Sequence, residues 1–426
     1  MRCSARCPLP TFPNRRVTIT TPGPGPLRRL GPRPLLLHLL LAMLRSSASI
    51  AASPASKNGW PRSSASFLDG AERLRQALGL AGGPPEQAFR RAVLAEALRQ
   101  DRELIAGIAA YRRHPYQRTL RDPGVLWQEG DTRLLDYGTG RRNAPPVLFV
   151  PSLINRAYVL DLSEENSMLR WLAASGLRPL LLDWGWPGEP ERGFTLTDYI
   201  AGRLERALAA LPRRFVLAGY CMGGLLALAA ALRRPERVRA LALLATPWDF
   251  HATGAERPMM LARTLPLFAP LFTFGASLPT DCLQMLFAGL DPFGVAAKYR
   301  SFSYIDPASA RARLFVALED WLNDGVPLAA PVARECLGGW YGANTPARTA
   351  WRVAGLPVDP TALRMPAFIA APGRDRIVPP ESARPLAALI PGAVLHTPAA
   401  GHIGMVAGST AKTSLWRPFR DWIGSL

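Results

Sequence analysis

The sequence contains few cysteines, few lysines and no long apolar run. Among 426 residues there are five cysteines, and none of them forms a Cys-x-x-Cys pair. We therefore predict neither a metal site nor a disulfide framework, and this usage fits a reducing compartment. Only three of the 51 basic residues are lysine. The apolar run at 35–44 is shorter than the roughly 18 to 20 residues that a membrane span needs, so no transmembrane span is predicted.

Acidic residues are absent from the first part of the chain. The first carboxylate is Asp69, whereas residues 1–66 hold ten Lys or Arg and are rich in Pro and Ser. This composition predicts a disordered basic N-terminal segment, 1–66, broken by the apolar patch at 35–44 and dispensable for catalysis. The patch and its flanks also resemble a secretory signal, but the patch is short and His38 interrupts it. We expect a cytoplasmic protein.

Several nucleotide- and nucleic-acid-binding patterns are missing. The sequence has no Walker loop and no Gly-x-Gly-x-x-Gly fingerprint, so phosphate-cradling and dinucleotide chemistry have no support. Runs of Lys and Arg interleaved with aromatic residues are also absent, although the net charge is +19. The sequence therefore argues against a nucleic-acid partner.

Two periodicities divide the rest of the chain. Residues 67–133 carry apolar residues mostly at three- and four-residue spacing, which predicts a helical N-terminal region. From residue 134, short apolar runs alternate with amphipathic stretches, which predicts a parallel sheet built from βαβ units. The runs are VLFVP (147–151), PLLLDW (179–184), RFVLAGY (214–220), VRALALLAT (238–246), PAFIAAPG (366–373) and AVLHTP (393–398).

A long apolar insert separates the fourth and fifth runs. Residues 251–360 are rich in Leu, Phe, Trp and Met, and we predict a helical cap over the carboxyl ends of the strands, where open α/β sheets bind ligands. The sheet core is then formed by 134–250 and 361–426. The predicted fold class is α/β, with a mostly parallel, doubly wound sheet, a cap insert and a helical N-terminal extension.

The stretch Gly219-Tyr220-Cys221-Met222-Gly223-Gly224 follows the third run and precedes a helix rich in Ala and Leu. It has the outline of the Gly-x-Ser-x-Gly nucleophile elbow of α/β-hydrolases, with cysteine at the centre. Glycines suit the tight turn and the close packing of the helix, whose amino terminus favours a thiolate. Cys221 is thus the candidate nucleophile. The alternative is a buried structural cysteine.

A nucleophile needs a base, and the chain has five histidines. His402 lies in a glycine-flanked loop after the last apolar run, as the order nucleophile, acid, histidine requires. His251 is the reserve candidate. Asp375 follows the preceding run, 27 residues before His402, and would orient the imidazole. Asp249, after the fourth run, is the competing acid.

Two backbone N–H groups are expected to form an oxyanion hole. One is that of Met222, directly after the nucleophile. The other should come from the loop after the first run, where either Ile154 or Asn155 could supply it. Trp184, Trp186 and Trp321 are predicted to pack in the core rather than to contact a ligand.

Together these stretches resemble the polyhydroxyalkanoate synthases, from residue 134 to the end of the chain. Besides the elbow, the resemblance rests on VPSLINRAYVLDL, LLDWGWPG, TLTDYI, Trp321-x-x-Asp324, GLPVD at 355–359 and Gly401-His402-Ile403-Gly404. The resemblance places Cys221, Asp375 and His402 at the family's triad positions, on an α/β-hydrolase fold. One departure is Arg376, where the family often has histidine.

The family joins (R)-3-hydroxyacyl units from coenzyme A thioesters into a polyester and releases free coenzyme A. The resemblance implies an enzyme without a cofactor, associated with storage granules in the cytoplasm. The loop sequences are most similar to the short form that requires a second synthase subunit, and a homo-oligomer is expected.

Two other functions stay open. The first is a Cys-dependent hydrolase or small-acceptor acyltransferase on the same frame, which polymer formation would distinguish from a synthase. The second is a non-catalytic granule-binding protein, which covalent labelling of Cys221 by substrate would exclude.

Overall fold

The computed structural model describes residues 29–52, 86–140, 144–211 and 214–426, and its centre is one eight-stranded sheet. The strands are β1 (Gly124–Glu129), β2 (Thr132–Asp136), β3 (Pro146–Val150), β4 (Arg178–Asp183), β5 (Phe215–Tyr220), β6 (Val238–Leu244), β7 (Ala367–Ala370) and β8 (Val394–His396). Their order is β1-β2-β4-β3-β5-β6-β7-β8. The last six in that order run parallel, so the predicted mostly parallel sheet is confirmed.

The first two strands form an antiparallel hairpin that extends the sheet at one edge. The hairpin turns at Gly130, which has a positive φ of 56°. The sheet therefore begins at Gly124. The prediction that residues 67–133 are helical is wrong for residues 124–133, which belong to this hairpin. The strand β1 is an edge strand with Val125 and Leu126 exposed. It consequently lacks the continuous apolar run that marks the central strands.

Helices cover both faces of the sheet. Before the cap they are α3 (Met168–Ala174), a π-helix (Asp198–Leu204) continued by α4 (Glu205–Ala209), and α5 (Met222–Arg233). After the cap they are α12 (Pro380–Ala383), α13 (Pro385–Leu389), α14 (Gly404–Ala407), and a π-helix (Lys412–Trp416) continued by α15 (Arg417–Gly424). Side chains of β5 alternate between two apolar cores: Leu217 lies in one and Ala218 in the other. The helix α5 is buried along most of its length, which explains its Ala- and Leu-rich sequence.

The insert between β6 and β7 is mainly helical. Its helices are α6 (Glu256–Arg263), α7 (Ala269–Gly275), α8 (Thr280–Ala288), α9 (Gly294–Phe302), α10 (Ala310–Asn323) and α11 (Ala330–Arg334), the last continued by a π-helix (Glu335–Gly342). Two short antiparallel pairs accompany them, Ser277–Leu278 with Leu328–Ala329 and Arg352–Val353 with Leu356–Pro357.

Two further helices precede the sheet, α1 (Leu35–Ala52) and α2 (Glu86–Arg113). The helix α1 packs on α2, and the Ser46 hydroxyl donates a 2.9 Å hydrogen bond to Asp101. The helix α2 in turn crosses α9 so closely that a Cβ on Gly107 would lie 1.9 Å from the Tyr299 carbonyl oxygen.

The prediction of disorder over 1–66, which excepted the apolar patch at 35–44, is therefore wrong for residues 45–52, which continue the helix. Apolar and small side chains of this helix, Ala42 among them, are buried against α2 and α9. Residues 1–28 and 53–66 of the same segment lie outside the described residues, as do residues 67–85 of the predicted helical region. Among the helices that are described, none combines the length and apolarity that crossing a bilayer requires.

Candidate active site

Cys221 occupies the turn between β5 and α5 at the carboxyl edge of the sheet. Its φ of 56° and ψ of −130° are unusual for a non-glycine residue, because Cβ is crowded at positive φ. Two backbone hydrogen bonds hold this conformation: the Cys221 N–H donates to Leu244 O at 2.8 Å, and its carbonyl accepts from the Gly224 N–H at 2.9 Å. The thiol is partly exposed. Strain of this kind is typical of functional turns.

The elbow glycines are required by close contacts. A Cβ on Gly223 would lie 2.1 Å from Val150 O, and one on Gly224 would lie 1.8 Å from Thr246 Oγ1. A Cβ on Gly219 would lie 2.3 Å from the Gly224 Cα. The turn thus brings the first residues of α5 against the ends of the strands on both sides.

His402 and Asp375 meet beside this turn. The His402 Nδ1 lies 2.7 Å from Asp375 Oδ2, and both side chains are buried. The other carboxylate oxygen accepts hydrogen bonds from the Ile377 and Val378 N–H groups, at 2.8 and 2.9 Å. Asp375 is therefore fixed in orientation, and it fixes the imidazole.

Cys221 lies close enough to the same imidazole for its charge to act on the pKa of His402. Burial alone would lower the pKa of His402, but the charge on Cys221 and the hydrogen bond to Asp375 outweigh burial and raise that pKa to about 10. Of the three residues that the sequence predicted, His402 and Asp375 are thus joined by a hydrogen bond, and Cys221 lies beside that pair. This geometry is suited to a thiolate–imidazolium nucleophile.

Sequence reasoning missed Tyr220, which contacts His402 from the strand side. The Tyr220 hydroxyl donates to the His402 carbonyl oxygen at 3.3 Å, and the two rings pack with centroids 5.2 Å apart. Tyr220 directly precedes Cys221, so one short segment carries both the nucleophile and a support for its base. The only sign of this role in the sequence is that an aromatic residue stands directly before Cys221 in the elbow.

The competing acid and base are engaged elsewhere. Asp249 accepts hydrogen bonds from the His251 N–H and the Asn344 side chain, and the His251 Nε2 lies 2.8 Å from the Tyr341 carbonyl oxygen. The remaining histidines, His38, His114 and His396, also pair with backbone carbonyl oxygens. Among the five histidines, His402 is thus the one that the structure places against both a carboxylate and a cysteine.

The loop that follows β3 is predicted to supply the second oxyanion donor. It begins directly after Pro151, which lies against Gly223 of the elbow. Met222 is the first residue of α5, where a backbone N–H has no partner within the helix. The Ile154 N–H donates to Ser152 Oγ at 3.2 Å, whereas Asn155 faces Gly325 in an antiparallel bridge. This arrangement favours Asn155 over Ile154 as the second donor.

The cap adds an aromatic wall near the thiol. Burial, and after it the charge on Cys221, raises the pKa of Tyr341, which lies in the π-helix Glu335–Gly342. Its ring packs edge-on against Phe250. Within the described ranges, no three His, Cys, Asp or Glu side chains cluster in a way that could hold a metal ion.

Comparison with known proteins connects this site to a family. A model of the α/β-hydrolase fold matches residues 145–274. The poly(3-hydroxyalkanoate) polymerase subunit PhaC of Haloferax mediterranei is 31% identical over 313 residues, which cover 70% of this chain and 63% of that protein.

Two further relatives carry the same name. The subunit of Haloarcula marismortui is 28% identical over 70% of this chain and 66% of its own length, and that of Allochromatium vinosum is 27% identical over 65% and 80%. The chain thus spans somewhat less than two thirds of the first two relatives. By these likenesses, and by the fold on which its site is built, the chain is similar to the poly(3-hydroxyalkanoate) polymerases and has the α/β-hydrolase fold.

Proposed function

We propose that this protein is an acyltransferase that polymerises (R)-3-hydroxyacyl units from coenzyme A thioesters and releases coenzyme A. The observation that carries the proposal is the proximity of Cys221, at a strained strand-to-helix turn, to the hydrogen-bonded His402–Asp375 pair. The names of the relatives support the same activity.

The first half-reaction transfers the acyl group to the enzyme. The Cys221 thiolate attacks the thioester carbonyl carbon, and the N–H groups of Met222 and Asn155 would stabilise the oxyanion. The carbon–sulfur bond to coenzyme A then breaks, and the leaving thiolate takes the proton of the His402 imidazolium. One thioester replaces another, so the acyl group stays activated.

The second half-reaction extends the polymer. The hydroxyl of an acceptor chain attacks the Cys221 thioester while neutral His402 accepts the hydroxyl proton. An oxygen ester forms, the bond to Cys221 Sγ breaks, and the thiolate–imidazolium pair is restored. No redox step occurs, and the proposal needs no metal or cofactor.

A thiol nucleophile suits these two half-reactions better than a hydroxyl does. A cysteine acyl-enzyme is a thioester and a stronger acyl donor than the oxygen ester that serine would form. Water is the competing acceptor, and Tyr341 of the cap, which lies near the thiol with Phe250 packed against its ring, would exclude it. Cysteine therefore favours transfer to a hydroxyl, whereas serine would favour hydrolysis.

The setting of the reaction follows the family. We infer that the protein works in the cytoplasm at the surface of polyester granules, as a homo-oligomer and with a second synthase subunit. Its relatives are named as polymerase subunits, which supports the need for a partner.

The test is to incubate the protein with (R)-3-hydroxybutyryl-coenzyme A, with and without a partner subunit, and to quantify coenzyme A and polymer separately. Cys221→Ala should abolish both products. Cys336→Ala, which changes a buried cysteine of the cap, is the control and should retain both. Coenzyme A release without polymer would instead indicate a Cys-dependent hydrolase or small-acceptor acyltransferase.

A further inference from the structure

Residues 321–326 of the cap, here called the strap, run beside the loop 152–156 that follows β3. We propose that the strap positions this oxyanion loop for attack on the thioester, with Trp321 as its main positioning residue. The inference rests on the proposed acyl transfer and extends it, because it assigns to a cap segment a part in building the oxyanion hole.

Three contacts join the strap to the loop. The Trp321 indole N–H donates to Arg156 O at 2.7 Å, and the Val326 N–H donates to Ile154 O at 3.1 Å. Between them, Asn155 and Gly325 form an antiparallel bridge. Residues 154–156 of the loop are therefore each in contact with the cap.

The register of this pairing has a consequence for Asn155. Antiparallel pairs alternate between residues that exchange hydrogen bonds and residues that do not. Because the Val326 N–H bonds to Ile154 O, the Asn155–Gly325 pair is of the second kind. The Asn155 N–H therefore points away from the strap, where it can serve an oxyanion.

The opposite end of the loop is held by a second indole. The Trp184 Nε1 donates to Pro151 O at 3.0 Å, and Trp184 is buried. Two tryptophans, one from the end of β4 and one from the cap, thus hold the carbonyls on either side of the candidate donor. An oxyanion donor has to lie within about 3 Å of the developing charge, so small displacements of this loop reduce its effect.

Contacts with other parts of the chain hold the strap and the end of α10 in place. Tyr158, just beyond the loop, has its hydroxyl close to the Asp324 carboxylate, and burial together with the charge of Asp324 raises the pKa of that hydroxyl. The N-terminal segment contributes as well: Arg29 pairs with Asp320 at 2.7 Å, and the Arg33 N–H donates to Asn323 Oδ1 at 2.8 Å. The end of α10 is consequently fixed on both sides.

The test separates two reactions of Cys221 that differ in their need for an oxyanion hole. Alkylation by iodoacetamide is attack on a saturated carbon and forms no oxyanion, whereas acylation by (R)-3-hydroxybutyryl-coenzyme A or by 4-nitrophenyl acetate does. The single-turnover rate of each reaction is measured for wild type, Trp321→Phe and Tyr158→Phe. The matched control is Trp351→Phe, since Trp351 is equally buried and its Nε1 has no hydrogen-bond partner in the described part of the chain.

Trp321→Phe should slow acylation by about tenfold or more, a part of the 10²- to 10³-fold lost with a whole oxyanion donor. Alkylation should stay within about twofold of wild type, and the substrate concentration for half-maximal acylation should change less than the maximal single-turnover rate. Tyr158→Phe should show the same selectivity to a smaller degree, and it carries the test if Trp321→Phe does not fold. Trp351→Phe should leave both reactions unchanged.

Two results would overturn the proposal: acylation that is unchanged in Trp321→Phe and Tyr158→Phe, or acylation and alkylation that fall in parallel. The ester probe keeps this result separate from the proposed function. A wild type that reacts with 4-nitrophenyl acetate but not with the coenzyme A thioester would contradict the substrate assignment, while the comparison of variants would still decide the role of the strap.

Discussion

The His402 Nδ1 and Asp375 Oδ2 lie 2.7 Å apart, although the two residues sit in loops after different strands. Backbone hydrogen bonds join these loops: the Gly373 N–H donates to Pro398 O at 2.9 Å and the Arg374 N–H to Ala400 O at 3.1 Å. The pair is thus fixed by the sheet edge rather than by a flexible contact. This relationship leads to two predictions about the imidazole.

Replacing His402 and replacing Asp375 should have unequal effects. His402 carries the proton, so His402→Ala should approach the inactivity of Cys221→Ala, whereas Asp375 only orients the ring. Asp375→Ala should retain on the order of 10²-fold more activity than His402→Ala, as in other triads. Coenzyme A release under saturating substrate measures this. The control is Asp249→Ala, and an inactive Asp249→Ala beside an unimpaired Asp375→Ala would show that the acid is misassigned.

The charge of His402 should depend on Cys221. The charge on Cys221 and the hydrogen bond to Asp375 raise the pKa of His402 to about 10, against a lowering effect of burial. At pH 8 the imidazole of the wild type should thus be charged, and in Cys221→Ala its pKa should fall. Nitrogen NMR of the histidine side chains, assigned with His402→Ala, measures both states. An unchanged titration in Cys221→Ala would contradict the ion pair.

The same shift has a defined effect on stability. A pKa that is raised on folding stabilises the folded protein at pH values below the ordinary value of 6.5, and this stabilisation is lost as the pH rises through about 10. We expect the free energy of unfolding of the wild type to fall over that range more than that of His402→Ala. Denaturant titrations at pH 6.5, 8 and 10 would show the difference.

The elbow should not tolerate a methyl group at Gly223. A Cβ there meets the backbone oxygen of Val150, which cannot move without displacing β3. Gly223→Ala should lower stability by about 3 kcal/mol, the upper end of ordinary overpacking, and should slow alkylation of Cys221. Gly193→Ala is the matched control, because a Cβ at Gly193 meets no atom within 4 Å. Equal melting temperatures of the two variants would contradict the close contact.

Residues 1–28 and residues 29–66 of the N-terminal segment should differ in their importance for activity. Removal of residues 1–28 leaves every described contact of Arg29, Arg33 and α1 intact, so activity should stay within about twofold. Removal of residues 1–66 also deletes the buried face of α1 and the anchors of the strap, and should reduce acylation by tenfold or more together with the melting temperature. Comparable activity of both truncated proteins would restore the expectation that the whole segment is dispensable.

The sequence predicted the parts of the fold that have a local pattern. The central strands are continuous apolar runs because both faces of the parallel sheet are covered, and they were found within a few residues of their true bounds. The hairpin β1–β2 and the helix α1 were not found, because each has exposed apolar residues, such as Val125 and Leu36, that blur the periodicity.

The candidate site divides in the same way. Cys221, Asp375 and His402 could be predicted because chain order and flanking glycines mark their positions. The hydrogen bonds of Tyr220, Trp184 and Trp321 could not be predicted. Each joins a side chain to a backbone carbonyl of a segment distant in the chain, and no local pattern records such a pairing. Trp184 and Trp321 are in the core, as expected, but their indole N–H groups also hold the oxyanion loop. The same expectation is wrong for Trp186, which is exposed.

The most direct test of the central claim is the ratio of the two products made by Cys221→Ser. Sulfur and oxygen are nearly isosteric here, so the protein should fold, as circular dichroism would confirm. The hydroxyl is far less ionised, and any acyl-enzyme is an oxygen ester that is slow to pass its group to another hydroxyl. Coenzyme A release should fall by orders of magnitude, and polymer yield should fall further. A folded Cys221→Ser variant that makes polymer at nearly the wild-type rate would show that Cys221 is structural and that the nucleophile lies elsewhere.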